Sequence, residues 1–216
     1  MSEYTREEIL KMIEENAGPE GLDLSGKDLS GIDLSRWAIT EDLEQYQREH
    51  SGQTPVWFSE TTKGINLRKA NVIKANLQDA NLRQANLQET LLVEANLQEA
   101  DLTWANLQEA NLEWANLQKN SLLEANLQQA ALVGANLQKA SLIEANLQEA
   151  NLSLADLQEA YLWGANLQQA KLIRTHLERV DMYYVESLAG AYFYGAWLDQ
   201  TPMMKEQLGG RIWRGG

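Results

Sequence analysis

Ala95-Asn96-Leu97-Gln98-Glu99-Ala100-Asp101-Leu102-Thr103-Trp104-Ala105-Asn106-Leu107-Gln108-Glu109 holds three copies of one five-residue phrase, and that phrase runs from Ile65 to Leu177. Ala, Leu, Gln and Glu all favour helix, yet the spacing forbids one. At ~100° per residue, a leucine every five residues advances ~140° each time and leaves no apolar stripe to bury. A straight strand fails as well, because an odd period sends successive leucines to opposite faces. What remains is a backbone that turns at every repeat and aims every leucine into one core.

The pattern is strict on either side of that stretch. From Leu67 to Leu177, 22 of the 23 positions spaced by five are Leu, with Val72 the departure, and from Ala70 to Ala170, 19 of 21 are Ala, with Thr90 and Asn120 the exceptions. Leu and the small residue two before it therefore face inward, and the other three face out. Asn or Asp ahead of the leucine, as at Asn86, Asn96, Asn106 and Asp156, suits a corner, since its short side chain bonds nearby backbone.

With A-[DN]-L-x-x kept in register over residues 65–199, the chain resembles the pentapeptide-repeat family. The resemblance implies an all-β solenoid: a right-handed quadrilateral β-helix in which four repeats close one coil, about seven to eight coils stacked ~4.7–4.9 Å apart. In the style of its repeats and its inserted segment the chain is similar to cyanobacterial members.

Both ends of the array depart from it. Thr5 to Asn16 reads as a helix, with Thr5 and Glu8 at capping-box spacing, Ile9, Met12 and Ile13 on one face, and Gly18-Pro19 as the stop. Residues 1–18 are thus expected to cap the open end of the stack. Asp23-Leu24-Ser25, Asp28-Leu29-Ser30 and Asp33-Leu34-Ser35 make a first coil in another register. Within the β-helix of residues 19–199, residues 38–64 form an insertion too long for an ordinary connection. Two readings of it stay open: a flap folded on the coil by Trp57 and Phe58, or an arm on which the same pair contacts a partner. In residues 200–216, Thr201-Pro202 opens a short helix to about Leu208, and Gly209-Gly210 ends it.

A period of ten overlies the period of five. Gln follows Leu at 78, 88, 98 and so on to 168, which on a twenty-residue coil makes polar ladders on two opposite faces, able to bond from coil to coil. The other two faces vary. One carries Arg83, Thr103, Leu123, Ile143, Trp163 and Tyr183, with Trp104 and Tyr184 adjacent; the other carries Val93, Glu113, Val133, Ser153, Ile173 and Phe193, with Trp114, Leu154 and Tyr194. A contiguous apolar row suggests an interface, although branched and aromatic residues also suit a strand face for its own sake. Tyr192 and Trp197, at the leucine spacing, are expected to plug the last coil and to leave Tyr183, Tyr184, Phe193 and Tyr194 outside. Related proteins often dimerise through their C-terminal coils, which makes a homodimer through this segment an expectation.

Chemistry finds little to work with. There is no cysteine, which excludes disulfides, zinc-thiolate sites and thiol nucleophiles and suits a reducing compartment. No catalytic, metal or cofactor site is expected: His50 and His176 gather no ligands, and no phosphate loop or nucleotide fingerprint occurs. No leader and no run of ~20 apolar residues is visible, so a soluble cytoplasmic protein without membrane attachment is expected.

Charge narrows the partners. The net of -13 opposes direct nucleic-acid binding; residues 1–64 contribute -8, 65–199 contribute -7 and 200–216 contribute +2. The leading expectation is a non-enzymatic scaffold for an unknown protein partner, using Trp57, Phe58, Trp104, Leu123, Ile143, Trp163, Tyr183, Tyr184, Phe193 and Tyr194. The alternative comes from the resemblance, since certain family members resemble duplex DNA and inhibit or protect type II topoisomerases. Magnitude weighs against it: ~30 Å of duplex carries roughly 18 charges, against the -7 of the array.

Overall fold

The computed structural model describes residues 4–16, 22–34, 64–182 and 184–198. Helix α1 spans Arg6–Glu15, with Thr5 as its N-cap. The capping box forms in both directions: Thr5 Oγ1 accepts from Glu8 N–H at 3.2 Å, and Glu8 Oε2 accepts from Thr5 N–H at 2.7 Å. Ile9 and Ile13 belong to the same buried cluster as Leu22, Leu24 and the repeat leucines.

The repeats coil as their period requires, and the repeat around Asn96 shows how all five amide groups are accounted for where Asn precedes the leucine. Leu97 N–H donates to Asn116 C=O in the next coil at 2.7 Å, and Glu99 N–H to Gln118 C=O at 2.9 Å; Asn96 N–H donates back to Ala75 C=O at 2.9 Å, and Ala100 N–H closes the turn on Leu97 C=O at 3.1 Å. The fifth, Gln98 N–H, is taken by Asn96 Oδ1 at 3.3 Å. Asn or Asp stands before the leucine because its side chain supplies the acceptor that the backbone does not. The turn also forces the residue two after the leucine into the left-handed region, with φ between 52° and 63° at 21 non-glycine positions among the described residues. Each costs about 1 kcal/mol, offset by the turn bond and by the leucine that the turn buries.

Single parallel bridges join the coils, twenty residues apart through most of the array, which gives four sides. Side 1 runs through Asn66, Asn86, Asn106, Asn126, Asn146 and Asn166; side 2 through Asn71, Leu91, Asn111, Ala131, Asn151 and Lys171; side 3 through Asn76, Asn96, Asn116, Asn136, Asp156 and His176; side 4 through Asn81, Asp101, Ser121, Ser141 and Tyr161. Asp23, Asp28 and Asp33 pair with Asn66, Asn71 and Asn76, so the short first coil stacks on the array although 43 residues separate the partners. The insertion, with Trp57 and Phe58, and the expected helix after Thr201 lie outside the described residues, apart from Gly64.

The core is the inward leucine and alanine columns, most of them wholly buried. Three polar residues sit at alanine positions. Thr90 and Thr175 donate their hydroxyls to Leu67 C=O and Leu152 C=O, each at 2.7 Å. Asn120 is 1% exposed, and neither its Oδ1 nor its Nδ2 has a hydrogen-bond partner among the described residues.

The last coil departs from the sequence expectation. Asp156 pairs with His176, twenty on, but Asn166 pairs with Ser187, Lys171 with Tyr192 and His176 with Trp197, each twenty-one on. One extra residue is therefore absorbed between His176 and Ser187, and every later inward position moves by one. Leu188, Phe193 and Leu198 pack against the core, while Tyr192 and Trp197, expected to plug the coil, are exposed. Phe193, expected outside, points in, and Ala196 N–H closes a repeat turn on its carbonyl at 3.0 Å.

Candidate interaction surface

Sides 1 and 3 satisfy themselves. Asn side chains form vertical chains, with Asn96 Nδ2 donating to Asn76 Oδ1 and Asn116 Nδ2 to Asn96 Oδ1 on side 3, and Asn126 to Asn106 and Asn146 to Asn126 on side 1, all at 3.1–3.3 Å. The amide ladder expected of Gln runs mainly through Asn instead; Gln118 to Gln138, at 3.0 Å, is the glutamine pair that bonds directly. At the first coil the chains end on carboxylates: Asp23 and Asp33 each accept from an Asn at 3.0 Å. Hydrogen bonds from the Ser25 side chain and backbone hold the Asp23 carboxyl below its ordinary range.

Charges on these sides are paired between coils as well. Glu89 meets Arg68 and Lys69, Lys119 meets Glu99, and Glu159 sits between Lys139 and Arg179. The Arg68 hydrogen bond, with help from Lys69, holds Glu89 below the usual carboxylate range, and Lys119 does the same for Glu99.

Sides 2 and 4 are otherwise built. On side 2, Trp114 lies over Gly134: a Cβ there would stand 2.4 Å from the indole ring, so glycine makes room for it. Leu91 and Leu154 are exposed on the same side. On side 4 the Arg83 guanidinium stacks 4.9 Å from the Trp104 ring and pairs with Asp101 at 3.0 Å. Burial pushes the Asp101 carboxyl up, but hydrogen bonds from Thr103 and Arg83 outweigh it and hold the group low.

Below that pair, side 4 presents three parallel columns. The middle one holds Leu123, Ile143 and Trp163, and its continuation is Tyr184, whose carbonyl accepts from Gly164 N–H at 2.7 Å. One flank holds Ser121, Ser141 and Tyr161; the other holds Glu124 and Glu144. Leu123 and Ile143 are half-buried, whereas Tyr161, Trp163 and Tyr184 are 61%, 53% and 57% exposed. Because Ser121, Ser141 and Tyr161 replace Asn or Asp, the N–H groups of Leu123, Ile143 and Trp163 have no acceptor among the described residues. Glu124 and Glu144 likewise have no partner there, unlike the glutamates of the paired ladders.

Of the residues singled out from sequence, the structure brings Trp104, Leu123, Ile143, Trp163 and Tyr184 onto one side. Tyr194 is exposed on side 2, and Thr103, expected to face out, is buried against Ser121, with its hydroxyl 2.9 Å from the serine oxygen. Trp57, Phe58 and Tyr183 lie outside the described residues. Sequence reasoning missed Tyr161, Tyr192 and Trp197, the last stacked on His176 with ring centroids 4.1 Å apart. Tyr161 was legible as an aromatic residue in the slot that elsewhere holds Asn or Asp; Tyr192 and Trp197, at the leucine spacing when counted by five, reach that slot only through the extra residue. Among the described residues no three of His, Cys, Asp and Glu gather as metal ligands, and no helix is long and apolar enough to cross a membrane.

A filled β-helix whose chemistry is confined to its outer sides is the class that this geometry defines. The profile for pentapeptide repeats, in eight copies, matches residues 63–98, 95–130, 121–158 and 150–185, more than half of the sequence, and the chain belongs to that family. A trypsin-treated variant of QnrB1, described as a plasmid-mediated fluoroquinolone resistance protein, is similar with TM-score 0.56 and 20% identity over 80% of this chain and 75% of that one. A second such variant gives TM-score 0.54 and 14% identity, covering 87% and 85%. Those likenesses show the fold, a right-handed β-helix. HetL, described as involved in heterocyst differentiation regulation in the cyanobacterium Nostoc, is 27% identical over 90% of this chain and 95% of its own, with TM-score 0.23. A search of the curated proteins gave no match.

Proposed function

We propose that the protein is a non-catalytic scaffold that binds another protein through its variable sides, and a second copy of itself through its last rungs. Pentapeptide-repeat proteins are in general structural or binding scaffolds. The observation that carries the reading is the division between sides: sides 1 and 3 pair amides and charges from coil to coil, while among the described residues every exposed aromatic except Trp197 lies on sides 2 and 4. Large contiguous apolar rows on a surface favour protein contacts. Tyr192 and Trp197, turned outward by the one-residue slip, with Tyr194 exposed beside them, favour self-association at the C-terminal rungs.

The test is affinity capture with matched variants. A partner retained by the native protein should be lost with Trp163→Ser/Tyr184→Ser and kept with Gln118→Ser/Gln138→Ser; the reverse pattern would sink the reading. Light scattering across dilution addresses self-association, and a monomer at every concentration, unchanged by Tyr192→Ser/Tyr194→Ser, removes that part.

The second reading, a duplex mimic that engages a type II topoisomerase, is favoured by the acidic balance and by the free carboxylates of Glu124 and Glu144. Against it, the carboxylates of Glu89, Glu94, Glu99 and Glu159 are neutralised by a Lys or Arg one coil away. A gyrase supercoiling assay with excess protein separates the two: unchanged activity and unchanged drug sensitivity leave only the scaffold.

A further inference from the structure

Side 4 carries three kinds of complementarity at a fixed spacing, and together they select an occupant. The apolar column Leu123, Ile143, Trp163 and Tyr184 climbs one rung at a time, so its members lie at ~0, 4.8, 9.6 and 14.4 Å along the stack. An α-helix rises ~1.5 Å per residue, which puts anchors at i, i+3, i+7 and i+10 at ~0, 4.5, 10.5 and 15 Å. A strand laid the same way offers one-face residues only every ~6.6 Å and loses step after the first. The column therefore matches a helix and mismatches a strand.

Charge fixes the flanks. Glu124 and Glu144 stand one rung apart with no cationic partner among the described residues, while Glu89, Glu94, Glu99 and Glu159 are each paired with a Lys or Arg one coil away. Like charges on adjacent rungs are unfavourable, and a cation from outside would relieve them. The other flank offers the N–H groups of Leu123, Ile143 and Trp163 without acceptors among the described residues. A second copy docking through this same side would set its glutamates near these, which like-charge repulsion opposes.

We infer that side 4 binds a basic amphipathic α-helix of a partner protein, lying along the stack axis. Its apolar anchors seat on Leu123, Ile143 and Trp163, its Lys or Arg residues face Glu124 and Glu144, and its Gln or Asn carbonyls meet the free N–H groups. The inference deepens the scaffold reading, on which it rests, by naming the kind of partner segment.

The probe is a synthetic helical peptide with Leu at i, i+3, i+7 and i+10, Lys along one flank and Gln along the other, labelled for fluorescence anisotropy. Saturable binding is expected, and replacing its Lys by Glu should weaken it about tenfold, the combined worth of two exposed ion pairs. The full-length Glu124→Lys/Glu144→Lys variant should reverse that preference, and Ile143→Ser/Trp163→Ser should abolish binding. Leu154→Ser on side 2 should leave it unchanged, and far-UV circular dichroism confirms that each variant is folded. Absent binding, equal binding of the Lys and Glu peptides, equal binding of a period-two scramble, or indifference to the side 4 substitutions would overturn the inference. Capture of a partner that still depends on Trp163 and Tyr184 would then leave the broader scaffold reading standing.

Discussion

Sides 1 and 3 and sides 2 and 4 share one backbone and one core but differ in where their bonding groups end up. On the first pair, every rung from Asn66 to Asn166 and from Asn76 to Asp156 is Asn or Asp, so each outward N–H finds an acceptor within its own repeat. On the second pair, Leu91, Ala131, Ser121, Ser141, Tyr161 and Lys171 interrupt that supply, and aromatic residues and free glutamates appear beside the interruptions. A repeat surface that closes its own hydrogen bonds leaves few groups over, and unbonded groups remain where the repeat is broken.

If that contrast is confined to the outer surface, the inward residues should not register it. Leu107 on side 1 and Leu142 on side 4 are both 0% exposed, and replacing either by Ala should cost about 3–5 kcal/mol, from lost transfer energy plus the cavity left. Denaturant titration would check this; a far smaller loss at Leu142 would break the comparison by showing that the variable sides are less firmly packed within.

A smaller effect of opposite sign is expected where an inward column is itself irregular. Asn120 buries an amide without partners among the described residues, where most repeats carry Ala, so Asn120→Ala should stabilise by about 1–3 kcal/mol, the usual burden of an unsatisfied buried polar group. A loss of stability in the same titration would mean that the amide is satisfied in solution.

The smallest expected effect belongs to the charge ladders. Glu89, Glu99 and Asp101 have folded-state pKa values below their ordinary ones. Their contribution is therefore complete above the unfolded value, and it is lost as pH falls through the lowered folded values. Melting temperature should be nearly level from about pH 7 to 5 and decline below about pH 4. Glu89→Gln should flatten that decline slightly; an unchanged decline would show that the Arg68 and Lys69 contacts contribute nothing to it.

Much of the fold was legible because Leu at every fifth position admits few backbones. The Asn and Asp corners were legible for the same reason, although their particular duty, accepting the N–H two residues on, emerges only from the hydrogen bonds. The last coil was misread at Tyr192, Phe193 and Trp197 because counting by five assumes that no residue is added. A slip was written in Ala191-Tyr192-Phe193-Tyr194-Gly195-Ala196-Trp197-Leu198, where alanines recur five apart but one place late. The candidate surface was legible as two variable sides. That Tyr161 joins Trp163, and that Thr103 withdraws beneath the surface, was not.

The coil, its period, its core and the two monotonous sides can be read from the chain alone, because they follow from local spacing repeated many times. Which charges meet depends on the folded stack. Lys119 finds Glu99 and Arg68 finds Glu89 because stacking brings residues about twenty apart within ~5 Å, while Glu124 and Glu144 meet no cation among the described residues. Ion pairing and accessibility depend on what lies one coil above and below, a relation that no five-residue phrase contains.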